Sequence, residues 1–406
     1  MIAFSKQPPA NVLVNNPVLF RLISGTNDLI RYTVRINNWH GITNYVAFEG
    51  ILLPVGLFNT SQYECSLNIS EILKSYQTQA AIDNPNLLVS KVSDFATGFS
   101  VLFQQGSDSL TYNGRYYRGG TGKKMNRYLN EKNTGIFAWK LLNTGKQFFM
   151  TTRTSGRHIV VRENELEPFF FVATGKAYRV VTEYGNTFDW PSMTPGEVYA
   201  FDVAILRQLS FNSWGKLPAF FGVLVDAKYV FDITVTESAK SPDKYVIRFL
   251  NSFSAFEKIE VTGKAQSDPE FAGNEAFMLY DMEMDDYTEQ KNRSGIREII
   301  KAECGYKSPE EFLFLRDMLQ SDLRYLIDRD GNRHEVIVSA DNFTHDVYPT
   351  EPGSVQLKIR FVETDSNYSP QIDESLPDFN FGESIWQSGI TNAYGFLFAG
   401  TTLNTL

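Results

Sequence analysis

Along the first seventy residues the apolar positions fall in short runs of alternating character, cut by turn residues. Val12 to Val14, Val18 to Ile23 and Leu29 to Ile36 are separated by Asn15-Asn16-Pro17 and by Gly25-Thr26-Asn27-Asp28, which predicts β-hairpins. Tyr45 to Phe48 and Tyr63 to Ile69 extend the pattern. In the latter, Tyr63, Cys65, Leu67 and Ile69 alternate with Glu64, Ser66 and Asn68, so one face is buried and the other wet. Ser70 to Lys74 reads as one helical turn closing that strand.

A second stretch repeats the plan. Glu167-Pro168-Phe169-Phe170-Phe171 is similar to Asn16-Pro17-Val18-Leu19-Phe20, and Phe201-Asp202-Val203-Ala204-Ile205-Leu206 to Leu67-Asn68-Ile69-Ser70-Glu71-Ile72. In both copies a strand ends in a polar residue and runs into a short apolar turn, which predicts two tandem antiparallel β-sandwiches. Further on, Tyr245 to Leu250 and Phe256 to Val261 are strand-like. Ser308-Pro309-Glu310-Glu311 starts a helix, with Ser308 accepting from a free N–H, Pro309 at the first helical position and Glu311 closing a capping box. Phe312, Leu315, Met318 and Leu319 then share a face. Arg324 to Ile327 and Glu335 to Val338 flank Asp330-Gly331, a hairpin signal.

The expected fold is therefore mainly β, with tandem antiparallel β-sandwich domains followed by a β-rich α+β domain carrying one packed helix over 308–321. At about 100–200 residues per domain, 406 residues divide into a sandwich over 1–145, a second over 146–250, a third domain over 251–369 and a C-terminal arm over 370–406. The stretch 107–132 reads as an insertion in the first sandwich. Its Arg115, Tyr116, Tyr117, Arg118, Lys123 and Lys124 are residue types that interfaces enrich or that carry positive charge, so a protein-contacting loop facing an acidic neighbour is expected. Its glycines do not make a phosphate-binding loop: the position five before Gly122 is Tyr117, and Lys124 follows Lys123 where Ser or Thr is required. In the arm, Trp386, Tyr394, Phe396, Leu397 and Phe398 are too apolar to stay loose in water, and they are expected to lie on the chain itself or on a neighbour.

The charge changes the picture in one respect. A formal net charge of -9 repels a nucleic-acid backbone, so no sequence-specific nucleic-acid partner is expected. Cys65 and Cys304 stand far apart and read as buried thiols rather than a disulfide framework. His40, His158, His334 and His345 are scattered, and Asp281-Met282-Glu283-Met284-Asp285-Asp286 lacks the glycine of a calcium loop, so it reads as a solvated acidic loop. No catalytic, cofactor or metal site is expected, and the chain is not expected to be an enzyme. The N-terminal residues lack the apolar core of a signal peptide, and no apolar run approaches the roughly 20 residues that span a bilayer. Synthesis as a soluble cytoplasmic chain without membrane association is the expectation.

Three groups of residues then carry a resemblance. Asn16-Pro17-Val18-Leu19-Phe20-Arg21-Leu22, Leu67 to Leu73, and Arg248-Phe249-Leu250-Asn251-Ser252-Phe253-Ser254-Ala255-Phe256-Glu257 resemble tail-associated structural proteins of phages and prophages of Bacteroides-like bacteria. The helix and hairpin over 308–338 resemble the C-terminal part of such proteins. The resemblance implies a virion structural protein in a distal-tail, hub or baseplate position of the tail. It implies partners among other tail or baseplate proteins, a homo-oligomeric ring, and no catalytic residues. The alternative class is a β-sandwich carbohydrate-binding or adhesin-type protein, whose exposed aromatics would stack on sugar rings.

Overall fold

Proline before a strand and a polar residue after one mark both copies of the repeated plan, and the computed structural model builds a five-stranded sheet of the same topology on each. It describes residues 1–59, 61–132, 134–142, 148–154, 156–271, 276–291, 295–340, 343, 353–363 and 378–381. The first unit runs through β1 (Ile2–Lys6), β2 (Asn11–Leu13), β3 (Leu19–Ser24), β4 (Ile30–Ile36), β5 (Tyr45–Leu52), β6 (Gly56–Asn59) and β7 (Gln62–Asn68). It continues through α1 (Ser70–Ser75), β8 (Ala81–Ile82), β9 (Val89–Ser93), β10 (Ala96–Gln105) and β11 (Asp108–Tyr117). One sheet has the order β1-β3-β7-β6 and the facing sheet β2-β11-β10-β4-β5. Between them lie Phe20, Leu22, Val34, Phe99, Val101 and Phe103, all buried. Burying such side chains removes about 25 cal/mol of hydrophobic cost per Å² of apolar surface.

After α2 (Lys123–Glu131) the second unit comprises β12 (His158–Arg162), β13 (Phe169–Val172), β14 (Tyr178–Thr182), β15 (Thr187–Asp189), β16 (Val198–Phe201), α3 (Val203–Trp214), β17 (Phe220–Val225) and β18 (Lys228–Thr236). Its five-stranded sheet has the order β12-β18-β17-β14-β15. Strand for strand this matches the five-stranded sheet of the first unit. In each of these sheets, the strand that comes first in the chain runs parallel to the one that comes last, β2 with β11 and β12 with β18. In each unit, the proline-led strand pairs antiparallel with the strand that precedes a helix, β3 with β7 and β13 with β16. In both copies the polar residue at that junction accepts the backbone N–H two residues on. Asn68 Oδ1 accepts the Ser70 N–H at 3.2 Å, and Asp202 Oδ1 accepts the Ala204 and Ile205 N–H groups at 2.8 and 3.1 Å.

The predicted short turn after Phe201 is instead a full helix. Asp202 caps α3 at its start, and Gly215, at φ +67°, closes it in the left-handed region that favours glycine. Seven of its twelve residues are buried, and a helix buried on so much of its surface lacks the periodic contrast that sequence reading uses. Burial also pushes the Asp202 carboxyl up to about 6, against the pull of the two backbone N–H groups. A carboxyl that is harder to ionise when folded stabilises the fold fully below its ordinary range near 4, and that contribution fades as pH rises through 6. Asp202→Asn keeps the capping oxygen and removes the charge. It is expected to raise stability at pH 8 by about 3 kcal/mol and to leave it nearly unchanged at pH 4, as checked by urea unfolding at the two pH values.

The third unit contains β19 (Tyr245–Leu250), β20 (Phe256–Val261), β21 (Ala265–Ser267), β22 (Glu270–Phe271), β23 (Ala276–Asp281), β24 (Asp286–Lys291), β25 (Ile296–Arg297), β26 (Ile299–Glu303), α4 (Pro309–Gln320), β27 (Arg324–Ile327), β28 (Arg333–Ala340) and β29 (Gln356–Phe361). Seven of these strands form one sheet in the order β20-β19-β27-β28-β29-β26-β21. Helix α4 packs on it through Phe312, Phe314, Leu315 and Met318, with both halves of the Ser308–Glu311 capping box formed. Leu319, expected on that face, is half-buried at its edge. Asp330-Gly331 sits in the turn between β27 and β28, which pair antiparallel as expected.

Two expected boundaries are corrected. The second sandwich does not end with Tyr245 to Leu250, because that strand pairs with β20 and β27 of the third unit. Nor is 107–132 an insertion. Asp108–Tyr117 is paired over its whole length with β10, in the middle of the first unit's larger sheet. Strands β8 and β9 extend the second unit's smaller sheet, β13-β16-β9-β8, so the first two units share a sheet across the expected boundary. Among the described residues no helix is long and apolar enough to cross a membrane.

Candidate interaction surfaces

The six residues expected to form one basic loop separate into two groups. Tyr116 and Tyr117 are buried, and their hydroxyls donate to Tyr76 O at 3.2 Å and Gly196 O at 2.8 Å. Burial pushes the Tyr116 hydroxyl up to about 12. Arg115 reaches Glu197 of the second unit at 2.9 Å, and Arg118 Nη1 donates to Thr78 O. These four therefore hold the first unit together and tie it to the second, and the two tyrosines, being buried, do not face a partner as expected, whereas the two arginines are half-buried. The glycines behind them are packed as well. Gly119, at φ +92°, lies where a Cβ would meet the Phe253 backbone at 2.6 Å, and Gly120 N–H donates to Ser252 O at 2.7 Å. Glycine is required there because the third unit's backbone comes so close. Only Lys123 and Lys124 remain exposed, at the start of α2. Trp386, Tyr394, Phe396, Leu397 and Phe398 lie outside the described residues. The part of the arm that is described docks on its own chain: Phe381 is buried against Val246 and Ile327, and its N–H donates to Lys244 O at 2.7 Å.

A buried ionic seam between the second and third units has no counterpart in the sequence expectations. Glu165 Oε2 pairs with Arg153 Nη1 at 2.8 Å, and Glu165 Oε1 accepts the Glu260 N–H at 2.7 Å. Asn164 donates to the Glu260 carboxylate at 2.8 Å, and Lys307 Nζ, fully buried, donates to Glu260 O at 2.6 Å. A second group joins Glu167 to Arg248 at 2.7 Å and to Lys258 at 3.5 Å. Burial alone would raise the Glu165 carboxyl, but Arg153, Lys307 and Arg162 outweigh it and hold it at about 2. Burial pushes Glu257 the other way, although Arg153, Thr151 and Asn251 oppose the shift. Carboxyls pushed apart in this way are the mark of acid–base pairs in open clefts. These two are instead enclosed and bonded to protein partners, which suits a weld between units. Glu167 and Arg248 also line a cavity of about 490 Å³ together with Arg118, Phe170, Phe256 and Arg333. The sequence signal for the seam is weak: Glu257, Lys258 and Glu260 interrupt an otherwise strand-like run.

Two surfaces show the opposite chemistry, apolar side chains in water. The first is the β23–β24 hairpin, which pairs in the same register as β22 with β25 and as β21 with β26 of the seven-stranded sheet, and so forms the outer end of that arm. Directly opposed residues share a face, so Leu279 lies with Thr288, and Tyr280 with Tyr287. Phe277 and Leu279 are 40% and 47% exposed, and Met278, Tyr280 and Tyr287 on the other face 61%, 46% and 61%. The tip expected to be a solvated acidic loop is the turn of this hairpin, and it exposes Met282 and Met284 as well. The second surface is the edge of the first unit, where β5 and β6 are the outermost strands of their sheets. There Val46, Phe48, Ile51, Leu53, Val55 and Leu57 are all exposed.

Cys304 is buried as expected, whereas Cys65 is only half-buried. Among the described residues no three His, Cys, Asp or Glu side chains gather as a group able to hold a metal.

No family model and no curated protein matches the chain. Among solved structures, neural ectodermal development factor IMP-L2 overlaps 58% of this chain and 93% of its own at 8% identity and a TM-score of 0.15. A chimeric titin Z1Z2 overlaps 59% and 97% at 10% identity and a TM-score of 0.14. An E-to-A variant of a three-Ig titin fragment overlaps 74% and 93% at 9% identity and a TM-score of 0.16. These superpositions are too loose to bear on fold or function.

Proposed function

We propose that this chain is a structural subunit that assembles through protein–protein contacts into a ring or hub, of the kind found at a bacteriophage tail tip or baseplate. The supporting observation is the β23–β24 hairpin. The ribbon is the outer end of an arm rooted in the seven-stranded sheet through β21 and β26; two strands cover little apolar surface by themselves, and this end carries exposed apolar side chains on both faces with no third strand beside it among the described residues. Such a ribbon gains most when another surface covers it. The apolar β5–β6 edge lies in a different unit, so one copy presents two unlike surfaces, the condition for heterologous contacts that close into rings. The welded seam between the second and third units serves the same role, because a subunit under mechanical load has to move as one body.

The test is sedimentation velocity on the full chain beside a variant whose residues 276–291 are replaced by a short glycine–serine turn. The expected result is a discrete oligomer for the full chain and a folded monomer for the variant, with circular dichroism establishing the fold. A full chain that stays monomeric at every concentration overturns assembly. Labelling of purified virions with antibody against the chain tests the location, and label anywhere but the tail overturns it.

A further inference from the structure

The β23–β24 hairpin is acidic as well as apolar. Glu283, Asp285, Asp286 and Glu289 are exposed around Met282 and Met284. Asp281 and Asp286 stand directly opposite each other across the ribbon, a like-charge pairing that costs stability unless a cation approaches. The apolar β5–β6 edge does not supply one, since the one charged residue of β5 and β6 is Glu49. Helix α2 does. Lys123, Lys124 and Arg127 are exposed along it beside Met125 and Tyr128, 38% and 36% exposed, and Lys132 follows at its end. Glu131 is the one acidic residue of the helix. The helix is anchored beneath this surface. Leu129 is buried, and Asn126 Oδ1 accepts from Asn16 at 2.8 Å and from Thr121 at 2.9 Å. Thus a rigid basic platform with two apolar side chains exists on a chain whose net charge is -9.

We propose that the acidic, methionine-bearing tip of the hairpin in one copy of this chain seats on the outer face of α2 in the next copy. This rests on the assembly reading above and places the surface that receives the hairpin on α2 rather than on the β5–β6 edge. The four acidic side chains meet Lys123, Lys124 and Arg127, while Met282 and Met284 cover Met125 and Tyr128. Hairpin and helix belong to different units, so each contact leaves one free hairpin and one free helix, and the next copy adds in the same sense. The charges steer the encounter and set its direction, and the contact weakens as salt screens them.

The experiment uses two full-length variants. One carries Glu283→Lys, Asp286→Lys and Glu289→Lys; the other carries Lys123→Glu, Lys124→Glu and Arg127→Glu. All six positions are exposed, and circular dichroism establishes that both variants fold. Where the native chain sediments as an oligomer, each variant alone is expected to lose that species. An equimolar mixture is expected to regain it, because the basic hairpin of the first variant fits the acidic helix of the second, and the unchanged hairpin and helix fit each other. A variant that assembles alone as the native chain does, or a mixture that stays dissociated, overturns the contact and leaves assembly standing. A native chain that is monomeric throughout removes the assembly reading and this contact with it.

Discussion

Replacing Glu165 by leucine is expected to destabilise the protein by about 3–5 kcal/mol, the range for removing one partner of a buried ion pair. The loss comes mostly from what is left behind. Arg153 and Lys307 are buried, and Arg162 is largely so; without Glu165 this part of the seam keeps Glu260 and Glu257 but has one negative charge fewer among the same cations. The Glu260 N–H also loses its acceptor, an unsatisfied buried donor that costs about 1–3 kcal/mol. Glu165→Gln retains an acceptor for that N–H and is expected to fall between the native chain and the leucine variant. The pH dependence has a definite sign. A carboxyl held at about 2 contributes stability that is fully present above its ordinary range near 4.5 and is lost as pH falls toward 2. Urea midpoints between pH 7 and pH 3 are therefore expected to drop more steeply for the native chain than for Glu165→Leu. Equal slopes count against the seam as a stabilising weld.

Leu315→Ala is the second large effect, expected at about 2–5 kcal/mol. Leu315 is fully buried on the inner face of α4, in the cluster with Phe249, Met318 and Val336, so truncation leaves a cavity that the strands beneath cannot close without giving up their pairing. The same change at Leu313, two residues earlier and 59% exposed, is expected to cost little, since alanine is the better helix former. Thermal unfolding of the two variants side by side separates a packed helix face from a general sensitivity of α4. Indistinguishable melting temperatures would remove the packing assignment.

Alternation, turn residues and capping chemistry are local, and they were enough to place much of the fold. Pro17 and Pro168 each precede a strand, Asn68 and Asp202 each end one, and from these pairs two similar β-units were legible. The Ser308–Glu311 capping box located α4 because every group in it lies within four residues. The Asp330-Gly331 signal located the β27–β28 turn for the same reason. What the chain alone did not disclose depends on contacts between residues far apart in sequence. Arg115 to Arg118 have the composition of a surface loop, yet the sheet takes up Tyr116 and Tyr117 because β10 and β2 pair on either side of β11. Glu165, Glu257 and Lys307 look like surface charges until the second and third units close over them. Helix α3 was hidden because burial over most of its surface erases the polar face that marks a helix. The candidate surfaces divide along the same line. The charges of Lys123 and Lys124 are plain in the sequence. That the apolar residues of 277–287 stay in water on both faces at the outer end of a hairpin arm was decided only by the tertiary structure, because exposure depends on what the rest of the chain leaves uncovered.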